Sequence, residues 1–140
     1  MKQSRRDLEV ALLDRILGPA NYHLSNPSGP NAELLALVKT EKKKFYYVII
    51  KLGGYPEVYP SVYVKGELKN KRGEPMSTTD ASMHCYGYEN GNTKLCLGWT
   101  ATWNPETHLV FLYLRAKIWL ECYDRHLATG QKIEDFLRHA

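Results

Sequence analysis

The segment "FYYVIIKLGGYPEVYPSVYV", residues 45–64, decides the fold that the sequence predicts. The apolar run over 44–52 is typical of a central strand covered on both faces. Two glycines and two prolines make a rigid turn at 53–60, because glycine supplies backbone freedom and proline removes a hydrogen-bond donor. A further strand is predicted at 61–68, and another at 33–40 forms an antiparallel hairpin with the central one.

The chain before this sheet predicts a helix and an edge strand. Residues 4–18 place apolar side chains on one face, and Ser4 is expected to cap the helix with Asp7 in a capping box. Gly18-Pro19 ends it, and a short edge strand is expected at 21–25. Five charged residues of the helix are expected to face water: Arg5, Arg6, Glu9, Asp14 and Arg15.

The strongest helix signal lies after residue 103. Asn104 is a good N-cap, and Pro105 suits the first helical position. Residues 107–123 are hydrophobic nearly all round, which predicts a buried central helix, and a short amphipathic helix is expected at 132–139. Helix, antiparallel strands and buried helix in this order predict an α+β fold.

The composition is typical of one globular domain spanning residues 1–140. Hydrophobic residues make up 44% and charged residues 24% of the chain, as in ordinary folded proteins. The net charge of +4 permits contact with nucleic acid but does not predict it, because basic nucleic-acid binders concentrate their charge in a patch with aromatic residues. We therefore expect no nucleic-acid partner. The dense charged run at 39–45 is expected to be a solvated turn.

The number of cysteines and the hydropathy of the chain indicate where in the cell the protein is located. Cys85, Cys96 and Cys122 make an odd number, so they cannot all pair within the chain. Because no apolar amino-terminal segment resembles a secretion signal, we expect reduced thiols and a cytoplasmic location. No stretch approaches the roughly 18 continuous apolar residues of a membrane span, so no membrane association is expected.

The stretch 76–103 shows neither helical nor strand periodicity, and long irregular loops inside compact domains are usually functional. It contains Cys96, which is either a packed core thiol or a nucleophile. A papain-like hydrolase would need His84 or His108 brought to that cysteine by the fold. Trp99 and Trp103 are expected to pack the loop onto the body.

Two further possibilities concern the same loop. His84-Cys85, Cys96 and His108 supply two sulfurs and two nitrogens, but they lack the short paired spacings of structural zinc sites, so no metal is expected. Asn90 and Asn92 form the "ENGN" turn, which is either ordinary turn chemistry or a source of an amide that donates to an oxyanion near the cysteine.

Taken in order, these pieces resemble the ubiquitin-conjugating enzyme fold, chiefly over residues 45–119. That family has an amino-terminal helix, a four-stranded antiparallel meander, a buried central helix and, in short members, little beyond it. Its Tyr-Pro turn, histidine loop, catalytic cysteine and Trp-x-Pro motif correspond here to the turn in 45–64, "HCY" at 84–86, "LCL" at 95–97 and "WNP" at 103–105.

The resemblance implies a role for Cys96. It would accept a ubiquitin-like protein from an activating enzyme as a thioester and pass it to an amine, such as lysine, of a protein target. His84 would belong to the catalytic loop. Cys85-Tyr86 stands where the family has Pro-Asn, so Asn90 or Asn92 would replace the family's asparagine.

The short chain and the divergent histidine loop resemble the prokaryotic branch of the family. Members of that branch are encoded beside an activating enzyme, a ubiquitin-like protein and a deconjugating peptidase, in operons that include antiphage defence systems. Arg5 and Arg6 of the first helix would contact the activating enzyme, and no cofactor is implied. The alternatives are a catalytically inactive variant that serves as a binding module and a cysteine hydrolase.

Overall fold

The computed structural model describes residues 1–76, 81–98 and 103–137. The helices are α1 (Gln3–Ile16), α2 (Leu109–Thr129) and α3 (Ile133–Leu137). The strands are β1 (Tyr22–Ser25), β2 (Glu33–Lys39), β3 (Phe45–Lys51), β4 (Ser61–Val64), β5 (Cys85–Glu89) and β6 (Asn92–Leu95). The fold is therefore α+β, as predicted. Trp99 and the end of the helix expected at 132–139 lie outside the described residues.

The strands form one antiparallel sheet in the order β1-β2-β3-β4-β6-β5. Its first four strands are the predicted meander, including the edge strand at the amino-terminal side. The sheet is nevertheless larger than the expected four strands, because part of the stretch 76–103 is a hairpin rather than an irregular loop. Asn90 and Gly91 join β5 to β6, and their positive φ angles of 54° and 78° suit a two-residue hairpin turn.

The two faces of the sheet differ in burial. On β2, Leu34, Ala36 and Val38 are fully buried, whereas the alternating Leu35 and Leu37 are only partly buried. The buried face belongs to a core to which all three helices contribute, through Leu13 of α1, Leu109, Leu112, Ala116, Trp119 and Leu120 of α2, and Ile133 of α3. The charged turn after β2 is exposed over residues 41–44, as predicted.

Helix α1 begins one residue before the predicted cap. Lys2 occupies the N-cap position without a side-chain hydrogen bond, so the expectation that Ser4 caps the helix is wrong. The end of the helix is as predicted. Gly18 has a φ of 87°, and its N–H donates to the carbonyls of Leu13 and Asp14 before Pro19 begins a short 3-10 turn.

Helix α2 is the predicted central helix, but it begins at Leu109 rather than at Pro105. Asn104 caps a separate turn instead, since its side chain accepts from the Glu106 N–H at 2.9 Å. The helix is also not buried all round, because Phe111, Leu114 and Ile118 are exposed. Among the described residues, no helix is both long and apolar enough to cross a membrane.

The start of α2 is fixed by a residue of α1, 100 positions earlier in the sequence. Glu9, expected to face water, is completely buried. Its Oε1 accepts from the Leu109 N–H at 2.6 Å, while its Oε2 lies 3.1 Å from Arg5 Nε and 2.7 Å from His108 Nδ1. A carboxylate is favourable at a helix N-terminus, so α1 supplies the cap that the local sequence lacks.

Candidate functional site

Cys96 directly follows strand β6, and its backbone is held by two other elements. Its N–H donates to the His84 carbonyl at 3.0 Å, and that carbonyl also accepts from the Trp119 indole at 3.0 Å. His84 itself has a φ of 48°, and its N–H donates to the Ala81 carbonyl. The loop before β5 and helix α2 therefore fix the position of the cysteine.

The thiol is partly buried and belongs to the wall of a cavity of about 240 Å³. The other side chains of this wall are mostly apolar, with one imidazole and one guanidinium: Leu97, Ile118, Trp119, Leu137, His84 and Arg115. No aspartate or glutamate of the described chain belongs to this wall. Among the described residues, the site thus offers a thiol and two basic groups but no carboxylate.

Of the two histidines considered as partners for Cys96, the fold brings only one to it. His84 shares the cavity with the thiol, although no hydrogen bond joins its ring to Cys96 Sγ within the described residues. His108 is instead paired with Glu9 at the start of α2. The described ranges contain no group of three or more His, Cys, Asp or Glu side chains that could hold a metal ion.

Asn90 and Asn92 lie at the other end of the hairpin from Cys96. Asn92 is four residues before the cysteine along an extended chain, which separates the two by about 13 Å. Its Oδ1 accepts from the Gly66 N–H at 3.0 Å and so orders the turn after β4. Asn90 occupies the hairpin turn and is exposed. The structure therefore does not bring either amide to the thiol.

Two residues that the sequence did not single out lie near Cys96. Burial, followed by the charge of Cys96, raises the pKa of Tyr59 to about 12, while Arg115 lowers it. The Tyr59 phenol therefore stays protonated at neutral pH and is coupled electrostatically to the thiol. Arg115 shares the cavity wall, and its Nη2 donates to the Leu97 carbonyl at 3.3 Å. Tyr59 lies in the Tyr-Pro turn and Arg115 in helix α2, but nothing in the sequence connects either residue to Cys96, so only the fold identifies them.

The two arginines expected on the docking surface differ in their contacts. Arg5 Nη2 donates to the Tyr55 hydroxyl at 2.9 Å and to the Thr107 carbonyl at 3.0 Å, and its side chain is 19% exposed. Arg5 thus holds α1 to the start of α2 and presents little surface to a partner. Arg6 donates to Gln3 Oε1 at 2.6 Å at the surface of the helix.

The other two cysteines are placed differently from Cys96. Cys85 is partly buried, and its sulfur accepts from the Gly87 N–H at 3.2 Å. Cys122 is buried within α2. Burial raises the pKa of both thiols, which disfavours the nucleophilic thiolate at these two positions.

Comparisons with known proteins give no assignment. No family model matches the chain, and neither a curated protein nor a solved structure matches it. The basis for a function is therefore the geometry around Cys96 together with the order of motifs along the chain.

Replacing Tyr59 by phenylalanine is expected to reduce the alkaline sensitivity of the fold. Below pH 10.0, the ordinary pKa of the phenol, Tyr59 is protonated in the folded and unfolded chains alike. Between pH 10 and 12 only the unfolded chain ionises there, so the free energy of unfolding falls by up to about 1.4 kcal/mol per pH unit. Tyr59→Phe removes this slope. Urea denaturation of the parent protein and of Tyr59→Phe at pH 9 and pH 11 measures this difference. An equal loss of unfolding free energy in the two proteins would contradict a raised pKa of Tyr59.

Proposed function

We propose that the protein is a carrier of the ubiquitin-conjugating type, which accepts a ubiquitin-like protein as a thioester on Cys96 and transfers it to an amine. The observation that carries the proposal is a backbone-anchored thiol at the end of β6, in a largely apolar cavity whose described residues include no carboxylate. The "WNP" motif that follows and the central helix after it support the same reading.

The chemistry needs few groups from this chain. The Cys96 thiolate attacks the thioester carbonyl on the activating enzyme; a new carbon–sulfur bond forms, the old one breaks, and the released thiolate of the activating enzyme takes up a proton from solvent. In the second step an amine of the target attacks the carbonyl, an amide forms, and Cys96 leaves as a thiolate while the amine loses its proton to solvent. The acyl group arrives activated, so no paired base is required. The described residues of the cavity wall also include no carboxylate that could activate water against the thioester.

Both steps place negative charge on the carbonyl oxygen, and preorganised donors that face such an oxygen are usually a large part of catalysis. Tyr59 and Arg115 are the side chains that we assign to this role, because a protonated phenol and a guanidinium both lie in the surroundings of Cys96. Asn90 and Asn92 are not proposed again, since they lie at the far end of the hairpin.

The partners follow from the resemblance and are part of the proposal: an activating enzyme, a ubiquitin-like protein, a protein target and a deconjugating peptidase of a bacterial antiphage operon. Arg6, rather than Arg5, is the arginine that we assign to contact with the activating enzyme, because Arg5 is committed to Tyr55 and Thr107.

One observation favours a second function. His84 lines the same cavity as Cys96, as a cysteine hydrolase would require.

The test mixes the protein with the activating enzyme and ubiquitin-like protein encoded beside it, adds ATP, and separates the products on a non-reducing gel. We expect a thiol-sensitive band that is lost in Cys96→Ala and retained in the matched variants Cys85→Ala and Cys122→Ala. Cys96→Ser should give a band that resists thiol, because an oxygen ester replaces the thioester.

The alternatives give different results in the same assay. If the partner proteins are active but no adduct band forms, the protein is an inactive variant that serves as a binding module. A hydrolase would release the ubiquitin-like protein from a carboxy-terminal ester without ATP or activating enzyme, and that activity would be lost in both Cys96→Ala and His84→Ala.

A further inference from the structure

One face of the sheet is turned away from the core, and we call it the outer sheet face. Its position follows from the register, because Leu37 pairs with Tyr47, Ile49 with Tyr63, and Tyr63 with Lys94. Side chains of paired residues share a face. The outer sheet face comprises Leu35, Leu37, Lys39, Phe45, Tyr47, Ile49, Tyr63, Lys65, Lys94 and, at the β5 bulge, Tyr86.

Lysines lie over the aromatic rings across this face. Lys39 Nζ is 5.6 Å from the centre of the Phe45 ring, and Lys65 Nζ is 5.7 Å from that of Tyr47. Lys94 Nζ lies 6.0 Å from the Tyr63 ring and 5.9 Å from the Tyr86 ring. Four of the six cation–π contacts of the described residues therefore lie on this one face.

Three of these rings are open to solvent. Phe45, Tyr47 and Tyr86 are exposed by 61%, 46% and 60%. Phe45 and Tyr47 are two residues apart on one strand, so their side chains are separated by about 7 Å. Tyr63 continues the row on the neighbouring strand but is buried, with its hydroxyl donating to Glu89 at 3.0 Å. The row thus offers exposed aromatic surfaces at intervals across the sheet.

The charge on the outer sheet face is positive. Lys51, which the register also places on this face, is paired with Glu33, and Lys94 is paired with Glu89, so these two lysines are partly neutralised. Lys39 and Lys65 have no carboxylate partner within the described ranges, and both are exposed. Lys42 and Lys43 of the turn at 41–44 are also exposed, whereas Lys44 lies 3.9 Å from Asp124 of α2.

We propose that the outer sheet face binds single-stranded nucleic acid, with bases stacked on Phe45, Tyr47 and Tyr86 and phosphates paired with Lys39 and Lys65. Unpaired bases stack on aromatic side chains of an open sheet, and lysines attract the backbone, with little dependence on sequence. A duplex hides its base faces and cannot use the rings. Composition alone predicted no nucleic-acid partner, because it does not show that the register collects the lysines and rings on one face. The site is independent of Cys96.

The test is fluorescence anisotropy with a labelled single-stranded oligonucleotide of about 12 nucleotides, compared with a duplex of equal length. We expect the single strand to bind more tightly than the duplex. Phe45→Leu/Tyr47→Leu keeps apolar bulk, so folding is retained, and should weaken binding by about tenfold or more. Lys39→Gln/Lys65→Gln should lower the slope of log affinity against log salt by about 1.4.

Matched controls remove the same groups from the helical layer. Lys2→Gln/Lys117→Gln and Phe111→Leu should leave affinity nearly unchanged, and Cys96→Ala should bind as the parent protein does. No binding at about 100 µM protein, equal weakening by both lysine pairs, or preference for the duplex would each overturn the proposal. Self-association that Phe45→Leu/Tyr47→Leu abolishes, without binding to the oligonucleotide, would assign the face to a second copy of the chain instead.

Discussion

Replacing Glu9 with alanine is expected to lower the free energy of unfolding by about 3–5 kcal/mol. The substitution leaves the Leu109 N–H without its acceptor and removes the carboxylate that contacts both Arg5 and His108. Breaking a buried ionic cluster by removing one member costs far more than losing a surface ion pair. Urea denaturation at pH 7 measures the change, which is a large part of the 5–15 kcal/mol typical of a folded domain.

Two variants show whether the effect belongs to the buried carboxylate. Glu9→Gln keeps an acceptor for Leu109 N–H but loses the negative charge, so it should destabilise less than alanine. Glu106→Ala removes an exposed carboxylate from the segment before α2 and should change stability by no more than about 0.5 kcal/mol. A loss below about 1 kcal/mol in Glu9→Ala would show that water replaces the carboxylate as the cap of α2.

Trp119→Ala is the second substitution with a large expected effect, a loss of about 3–5 kcal/mol. The side chain is 1% exposed and stacks on Tyr123 with ring centres 5.5 Å apart. Its indole N–H donates to the carbonyls of His84 and Met83 at 3.0 and 3.2 Å. Alanine therefore creates a cavity and leaves the loop that carries His84 with one anchor fewer. Denaturation monitored by circular dichroism measures the loss.

The milder substitution Trp119→Phe distinguishes the role of Trp119 in core packing from its role in positioning the loop that carries His84. It retains an aromatic ring but no indole donor, so a smaller loss of about 1–2 kcal/mol is expected. In a Cys85→Ala/Cys122→Ala background, where Cys96 is the one thiol left, a disulfide reagent should react faster because the loop is less restrained. Trp103→Phe is the matched control, since it removes an indole bond to Pro56 instead. Equal thiol reactivity in the two variants would contradict a positioning role for Trp119.

The parts of the fold that the sequence predicted well depend on local periodicity. The alternation on β2 and the apolar run of β3 identify a two-faced sheet, and the long apolar run of α2 identifies the central helix. The β5–β6 hairpin was missed because its strands are short and carry few apolar residues, so the Asn90-Gly91 pair read as an ordinary turn. The start of α2 was misplaced because its cap, Glu9, is distant in sequence.

For the candidate site, the sequence located the thiol but not its surroundings. Cys96 is recognisable in the sequence because a clear helix signal follows it. Tyr59 and Arg115 belong to a turn and a helix, and only tertiary packing places these elements near the thiol. Asn90 and Asn92 were placed near the thiol on sequence proximity alone. Residues of an extended strand are farther apart per position than residues of a compact loop. Both amides of the hairpin therefore lie far from the thiol.

The bulge in β5 has a consequence for how the protein behaves at high concentration. Strand β5 forms one edge of the sheet, and its pairing with β6 shifts between Cys85 and Gly87, which leaves Tyr86 as an extra residue. Strand β1 forms the other edge and is only four residues long. Bulged and short edges offer a poor template for an incoming strand. The sheet is therefore protected at both ends against edge-to-edge aggregation, even though its outer face is rich in aromatic residues.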